Sequence, residues 1–82
     1  MQYEALVGFM TDNQLSLLKA IAKKDCVTSP QASDFIKQYD LPSASSVKTA
    51  LTTLLDKDII YRDATGYWVY DRFFDLWLKQ LV

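Results

Sequence analysis

The chain has 82 residues, half of them hydrophobic and 13% aromatic, enough to fill one small core and too apolar to be disordered. Nine Lys and Arg against ten Asp and Glu leave a net charge of −1, without the basic excess that phosphate binding usually demands. Histidine is absent and Cys26 is the single cysteine, which excludes an intramolecular disulfide or a cysteine metal cluster and fits a reducing cytoplasm.

No apolar run approaches the ~20 residues that cross a bilayer, so no membrane partner is expected. The first ten residues, MQYEALVGFM, lack the basic start and cleavage site of a signal peptide. Residues 3–10 are expected to form a helical turn or strap leading into the fold. In TDNQ, Thr11 is placed to cap a helix with Gln14 three residues on, the pattern of a capping box. The helix spans 12–24, with Leu15, Leu18, Ile21 and Ala22 on one face. Lys19, Lys23 and Lys24 gather toward its C-terminus, where positive charge complements the helix dipole.

DCVTSP reads as a loop. Ser29 followed by Pro30 predicts the start of a short helix over 30–39, with Ala32, Phe35, Ile36 and Tyr39 as its apolar face. YDLPS breaks it, and Leu41 plugs the turn before Pro42. Ser43 or Ser45 caps a second amphipathic helix that runs to about residue 57. Ala44, Val47, Leu51, Leu54 and Leu55 form its apolar side, and Ser45, Lys48, Thr49, Thr52 and Asp56 its polar side.

The period then changes to alternation. IIYRDATGYWVY predicts strands at about 59–63 and 67–70 around Gly66, which supplies positive φ for the turn. Asp71 caps a last helix, with Phe73, Phe74, Trp77, Leu78 and Leu81 as its apolar surface. The fold class is therefore mainly α with a small β-hairpin, in the order of a winged helix-turn-helix.

In that plan the second helix of the turn carries the residues that meet a partner. Ser45, Ser46, Lys48, Thr49 and Thr52, with Arg62 on the wing, form the candidate nucleic-acid or partner contact. Their chemistry is thin for base reading, which favours Arg on guanine and Asn or Gln on adenine. The plain alternative is a solvated helix face. Six aromatics crowd GYWVYDRFFDLWL, more than so small a core can hold. Alternation turns Trp68 and Tyr70 away from Tyr67 and Val69, which makes Trp68 and Tyr70 a candidate partner surface. No catalytic constellation is legible: Cys26 has no evident base, and Asp56 and Asp58 are poorly placed to act together.

The string LPSASSVKTALTTLLDKDIIYRDATGYWVYDRFFDLWL resembles the C-terminal winged-helix segment of prokaryotic, archaeal-type (AAA-related) P-loop ATPases. The matching positions are Ser43, Ser45, Ser46, Val47, Ala50, Leu51, Leu54, Lys57, Ile59 and Ile60, then Tyr67, Val69, Asp71, Phe74, Trp77 and Leu78. The likeness spans about residues 11–80. It implies a single winged-helix domain over residues 1–82 that forms the C-terminal part of a longer ATPase. ATP and Mg would then belong to an N-terminal domain outside these residues, since the chain has no GxxxxGK[ST] loop. The implied role is a non-catalytic accessory module. Its implied partners are the ATPase domain of the same parent chain, and nucleic acid, another protein or a second copy of itself. The alternative reading is an independent DNA-binding transcriptional regulator.

Overall fold

The computed structural model describes residues 3–80. Five helices and one hairpin follow in order: α1 (Tyr3–Gly8), α2 (Asp12–Lys24), α3 (Ser33–Gln38), α4 (Ala44–Asp56), β1 (Ile60–Arg62), β2 (Tyr67–Val69) and α5 (Arg72–Gln80). The strap over residues 3–10 is thus a short helix with a turn behind it.

α2 starts as its sequence predicts. Thr11 accepts from the Gln14 amide and the Gln14 side chain accepts from the Thr11 amide, a reciprocal cap. Two turns later the helix is buried on several sides. Leu17, Leu18, Ile21 and Ala22 are wholly inaccessible, because α2 packs at once against α4, α5 and β2. The single-face reading therefore missed Leu17 and Ala20, and placed Leu15 deeper than its half-buried position.

The short helix begins three residues later than 30. Ser29 and Pro30 form a turn closed by the Ala32 amide on the Ser29 carbonyl at 3.0 Å. Proline's fixed φ suits the second position of such a turn as well as it suits a helix start. Ala32 becomes the extended N-cap, without a side-chain bond, and is exposed rather than apolar core. Phe35 is the buried anchor of α3.

Both α3 and α4 end in the same device. Asp40 and Asp58 adopt left-handed φ values of 54° and 56°. The following amides reach back, Leu41 to Ile36 at 2.9 Å and Ile59 to Leu54 at 3.0 Å. These are Schellman endings with aspartate where glycine is usual. The first explains Leu41: its amide closes the helix and its side chain enters the core beside the turn. Ser43, rather than Ser45, caps α4 through the Ser46 amide. Ala44 therefore opens the helix and is exposed, while Val47, Ala50, Leu51 and Leu54 are buried.

The strands are shorter than 59–63 and 67–70, pairing Ile60 with Val69, Tyr61 with Trp68 and Arg62 with Tyr67. Val27, in the stretch read as loop, makes an isolated antiparallel bridge to Tyr67 on the other edge of β2. The wing is thus tied to the end of α2. Asp71 caps α5 through the amides of Phe73 and Phe74. On α5, Phe74 and Leu78 are buried and Trp77 is half-buried, but Phe73 is 73% exposed, contrary to its place on the predicted apolar surface. The burial pattern centres on the 74–78 side, and Phe73 lies beyond its edge. Leu81 falls outside the described residues. α1 closes over α5, with Tyr3 stacked on Phe74 at 5.0 Å and tilted against Trp77 at 5.5 Å between ring centroids. Among the described residues, no helix is long and apolar enough to cross a membrane.

Two substitutions at positive φ should act in opposite directions. Asp58→Gly relieves the left-handed strain and is expected to stabilise by about 0.5–1 kcal/mol in urea unfolding. Gly66 has φ 148°, and a side chain there would meet the Val27 carbonyl oxygen at 2.6 Å. Gly66→Ala is therefore expected to destabilise by more than about 1 kcal/mol in the same measurement.

Candidate functional site

α4 stands in the position that carries partner contacts in a helix-turn-helix. Ser45, Lys48, Thr49 and Thr52 are exposed on its outer face, and Ser46 is half-buried. The hydroxyls are engaged within the helix. Thr49 Oγ1 donates to the Ser45 carbonyl at 3.1 Å and Thr52 Oγ1 to the Lys48 carbonyl at 3.0 Å. Thr53 repeats the pattern on Thr49 at 3.2 Å. Ser43 Oγ donates to Ser46 Oγ at 3.1 Å and accepts the Ser46 amide. Such back-bonding satisfies the donors locally and leaves acceptor lone pairs outward. Lys48 is the one cation on this face. Ser46 and Thr49 also line a shallow cleft with Thr11, Asn13 and Gln14 at the start of α2.

Arg62 does not join them in a basic patch. It is exposed on β1, and its guanidinium lies 5.7 Å from the Tyr67 ring centroid, a cation–π contact across the strand pair.

Trp68 and Tyr70 lie on the other face of the hairpin, with Tyr61. Strand alternation accounts for this: Ile60 and Val69 face the core, so Tyr61 and Trp68 must turn out. Tyr61 and Tyr70 meet edge to face at 5.8 Å. These three rings form one wall of a groove of about 390 Å³, and Arg72, Asp75, Leu76 and Lys79 of α5 form the other. At one end Lys79 bridges Asp25 and Asp75, the latter at 3.1 Å. The Asp25 carboxylate, then that of Asp75, holds the Lys79 pKa above the ordinary lysine value. The two cations and two anions of the groove cancel, so aromatic rings there face a charged wall with no net charge. Tyr70 is 67% exposed and Leu76 47%, next to Phe73 on α5.

The wing loop is organised by a residue that sequence reading did not single out. Asp63 Oδ1 accepts from the Thr65 amide at 2.8 Å, the Thr65 hydroxyl at 2.6 Å, the Gly66 amide at 3.1 Å and the Trp68 indole nitrogen at 3.1 Å. An aspartate two residues before a Thr-Gly turn is an Asx-turn signal and could have been read as such. The hydrogen bonds from Thr65 and Trp68 lower the Asp63 pKa from 3.8 to about 2. Trp68 is thereby held, half-buried, with its N–H committed and its ring left as the contact element. Cys26 closes the loop from below, its thiol 3.4 Å from the Thr65 carbonyl.

Among the described residues, no group of three or more His, Cys, Asp or Glu gathers to hold a metal ion. The family whose description reads "Probable winged helix domain" matches residues 1–80. No curated protein and no solved structure matches the chain.

The depressed Asp63 pKa fixes the sign of one pH effect. The ionised carboxylate favours the folded wing above its ordinary pKa of 3.8, and that contribution is lost as pH falls through about 2. The Trp68 indole N–H resonance is expected to hold steady from neutral pH to about 4 and to move with a midpoint near 2. In Asp63→Ala the resonance should sit at its released position already at neutral pH.

Proposed function

Because the chain belongs to the family of probable winged helix domains, we propose that it is a non-catalytic binding module that acts chiefly by protein contact, with only weak nucleic-acid contact. The observation that carries this is the chemistry of the α4 face. Its threonine hydroxyls are spent on helix carbonyls, and Lys48 is its sole cation. Sequence-specific duplex readers rely on rigid donors to base edges and on several phosphate-neutralising cations. The wing–α5 groove has the opposite character. It is aromatic, neutral and flanked by exposed Phe73, the composition of a protein contact.

The finer part of the reading makes the module an accessory domain of a P-loop ATP-binding protein. Its first partner is then the ATPase domain of the same parent chain, with ATP and Mg bound there. The ordered match from Ser43 to Leu78 supports this. In-frame coding sequence upstream of residue 1 is expected to contain GxxxxGK[ST]. The same proposed parent and the unpaired Cys26 support a cytoplasmic setting.

The opposing reading, an independent DNA-binding regulator, rests on the helix-turn-helix geometry of α3 and α4. Fluorescence anisotropy separates the two. Duplex DNA is expected to bind no tighter than about 10 µM at physiological salt, as non-specific complexes do, and without sequence preference. Sub-micromolar binding to a defined sequence, abolished by Lys48→Ala, would establish the regulator instead.

A further inference from the structure

The cations of the chain are unevenly placed. Residues 13–39 hold four lysines and two aspartates, a net charge of +2, while the remainder of the chain nets −3. Three of those lysines belong to α2. Lys19 and Lys23 line a cleft of about 200 Å³ with Ser16, Ala20 and Tyr39. Lys24 lies 5.9 Å from the centroid of the Phe35 ring, and Phe35 in turn packs on Tyr39 at 5.1 Å. The lysines thus fringe an aromatic pair on α3.

Lys23 and Lys24 complement the α2 dipole by position, but Lys19 stands a turn earlier. Lys19 and Lys23 are neighbours at i,i+4, a spacing that like-charge repulsion disfavours in a helix. Neither is paired with an acid: among the described residues the ion pairs found are those of Lys79. Folding alone does not favour this stripe, whereas an external polyanion would. None of the exposed large hydrophobics, Phe9, Tyr61, Tyr70, Phe73 and Leu76, lines this cleft. A protein partner would find no apolar anchor, while a phosphate backbone needs none.

We propose that the phosphate backbone of a nucleic acid docks on the α2 lysine stripe, Lys19, Lys23 and Lys24, beside Tyr39, and not on the outer face of α4. Lysines act there as point charges on successive phosphates, with the Ser16 hydroxyl as a further donor. The contact carries no base code, so binding is weak, sequence-tolerant and salt-dependent. This rests on the weak nucleic-acid contact in the functional reading above and moves its seat to another face.

The test is anisotropy with a labelled duplex across a salt series. The slope of log K against log salt is expected to be about −2 to −3, near −0.9 for each lysine neutralised. The K19E/K23E variant should weaken binding about tenfold or more and flatten the slope by about 2, whereas K48E should leave the slope unchanged. Circular dichroism confirms that the variants are folded. Should the double variant unfold, Lys23→Glu alone, at an exposed position, carries the test with a slope change of about 1. Equal losses in K48E and K19E/K23E would overturn the assignment while leaving weak nucleic-acid contact in place. Displacement of the duplex by oligoglutamate as effectively as by unlabelled DNA would assign the stripe to an acidic protein segment and overturn it too. No binding at about 100 µM in low salt would remove both this site and any nucleic-acid role, and would leave the protein-contact reading standing.

Discussion

Everything in this domain leans on α2. A chain this short can bury only about 60% of the surface its unfolded form exposes, so it must use each aliphatic side chain on more than one neighbour. Leu17, Leu18 and Ile21 do so, fully enclosed because α4, α5 and β2 converge on one helix. The helix also sets the wing. One turn past its end, Val27 bridges to Tyr67, and Gly66 lies against the Val27 carbonyl too closely to admit a side chain. The hairpin is therefore held from both sides, by β1 along one edge of β2 and by the chain leaving α2 along the other. Aromatic residues on its outer face become exposed because its inner face is committed to that helix.

The order of elements was legible because each start and stop carries local chemistry. Thr11 with Gln14, Ser43 and Asp71 are side-chain caps that satisfy amides a helix must otherwise leave open, and a single sequence shows them. Faces were less legible. Amphipathic period marks one buried side, so it cannot reveal that Leu17 and Ala20 are covered by a second neighbour, nor that Phe73 lies beyond the edge of the α5 contact. Pro30 misled for a different reason: the same φ serves a turn and a first helical residue, and only the Ala32 to Ser29 hydrogen bond separates them. Val27 shows no strand signal in its neighbours, because its bridge is a long-range pairing with residue 67.

Of the candidate contact residues, the outer face of α4 was placed correctly by period, yet its chemistry depended on geometry. Ser and Thr offer donors in the abstract, but the i−4 back-bonds of Thr49, Thr52 and Thr53 consume theirs in the helix. Arg62 was read as a wing cation, but its neighbour across the hairpin is Tyr67, on the face away from Trp68 and Tyr70. Trp68 owes its fixed orientation to Asp63, four bonds away from being an ordinary surface carboxylate. A single oxygen thus connects the turn to the ring that lines the groove.

The charge pattern separates two kinds of surface on one small body. The wing and α5 present exposed rings beside charges that cancel, a surface with no net pull on a polyanion. The α2 stripe presents unpaired lysines without an exposed apolar anchor, where attraction is long-ranged and falls with salt. The surfaces share no lining residue except through their junction. Asp25 follows Lys24 directly, adopts φ 74° at the end of α2 and binds Lys79 of the groove. The Asp25–Lys79 ion pair thus marks the border between the salt-sensitive lysine stripe and the aromatic groove.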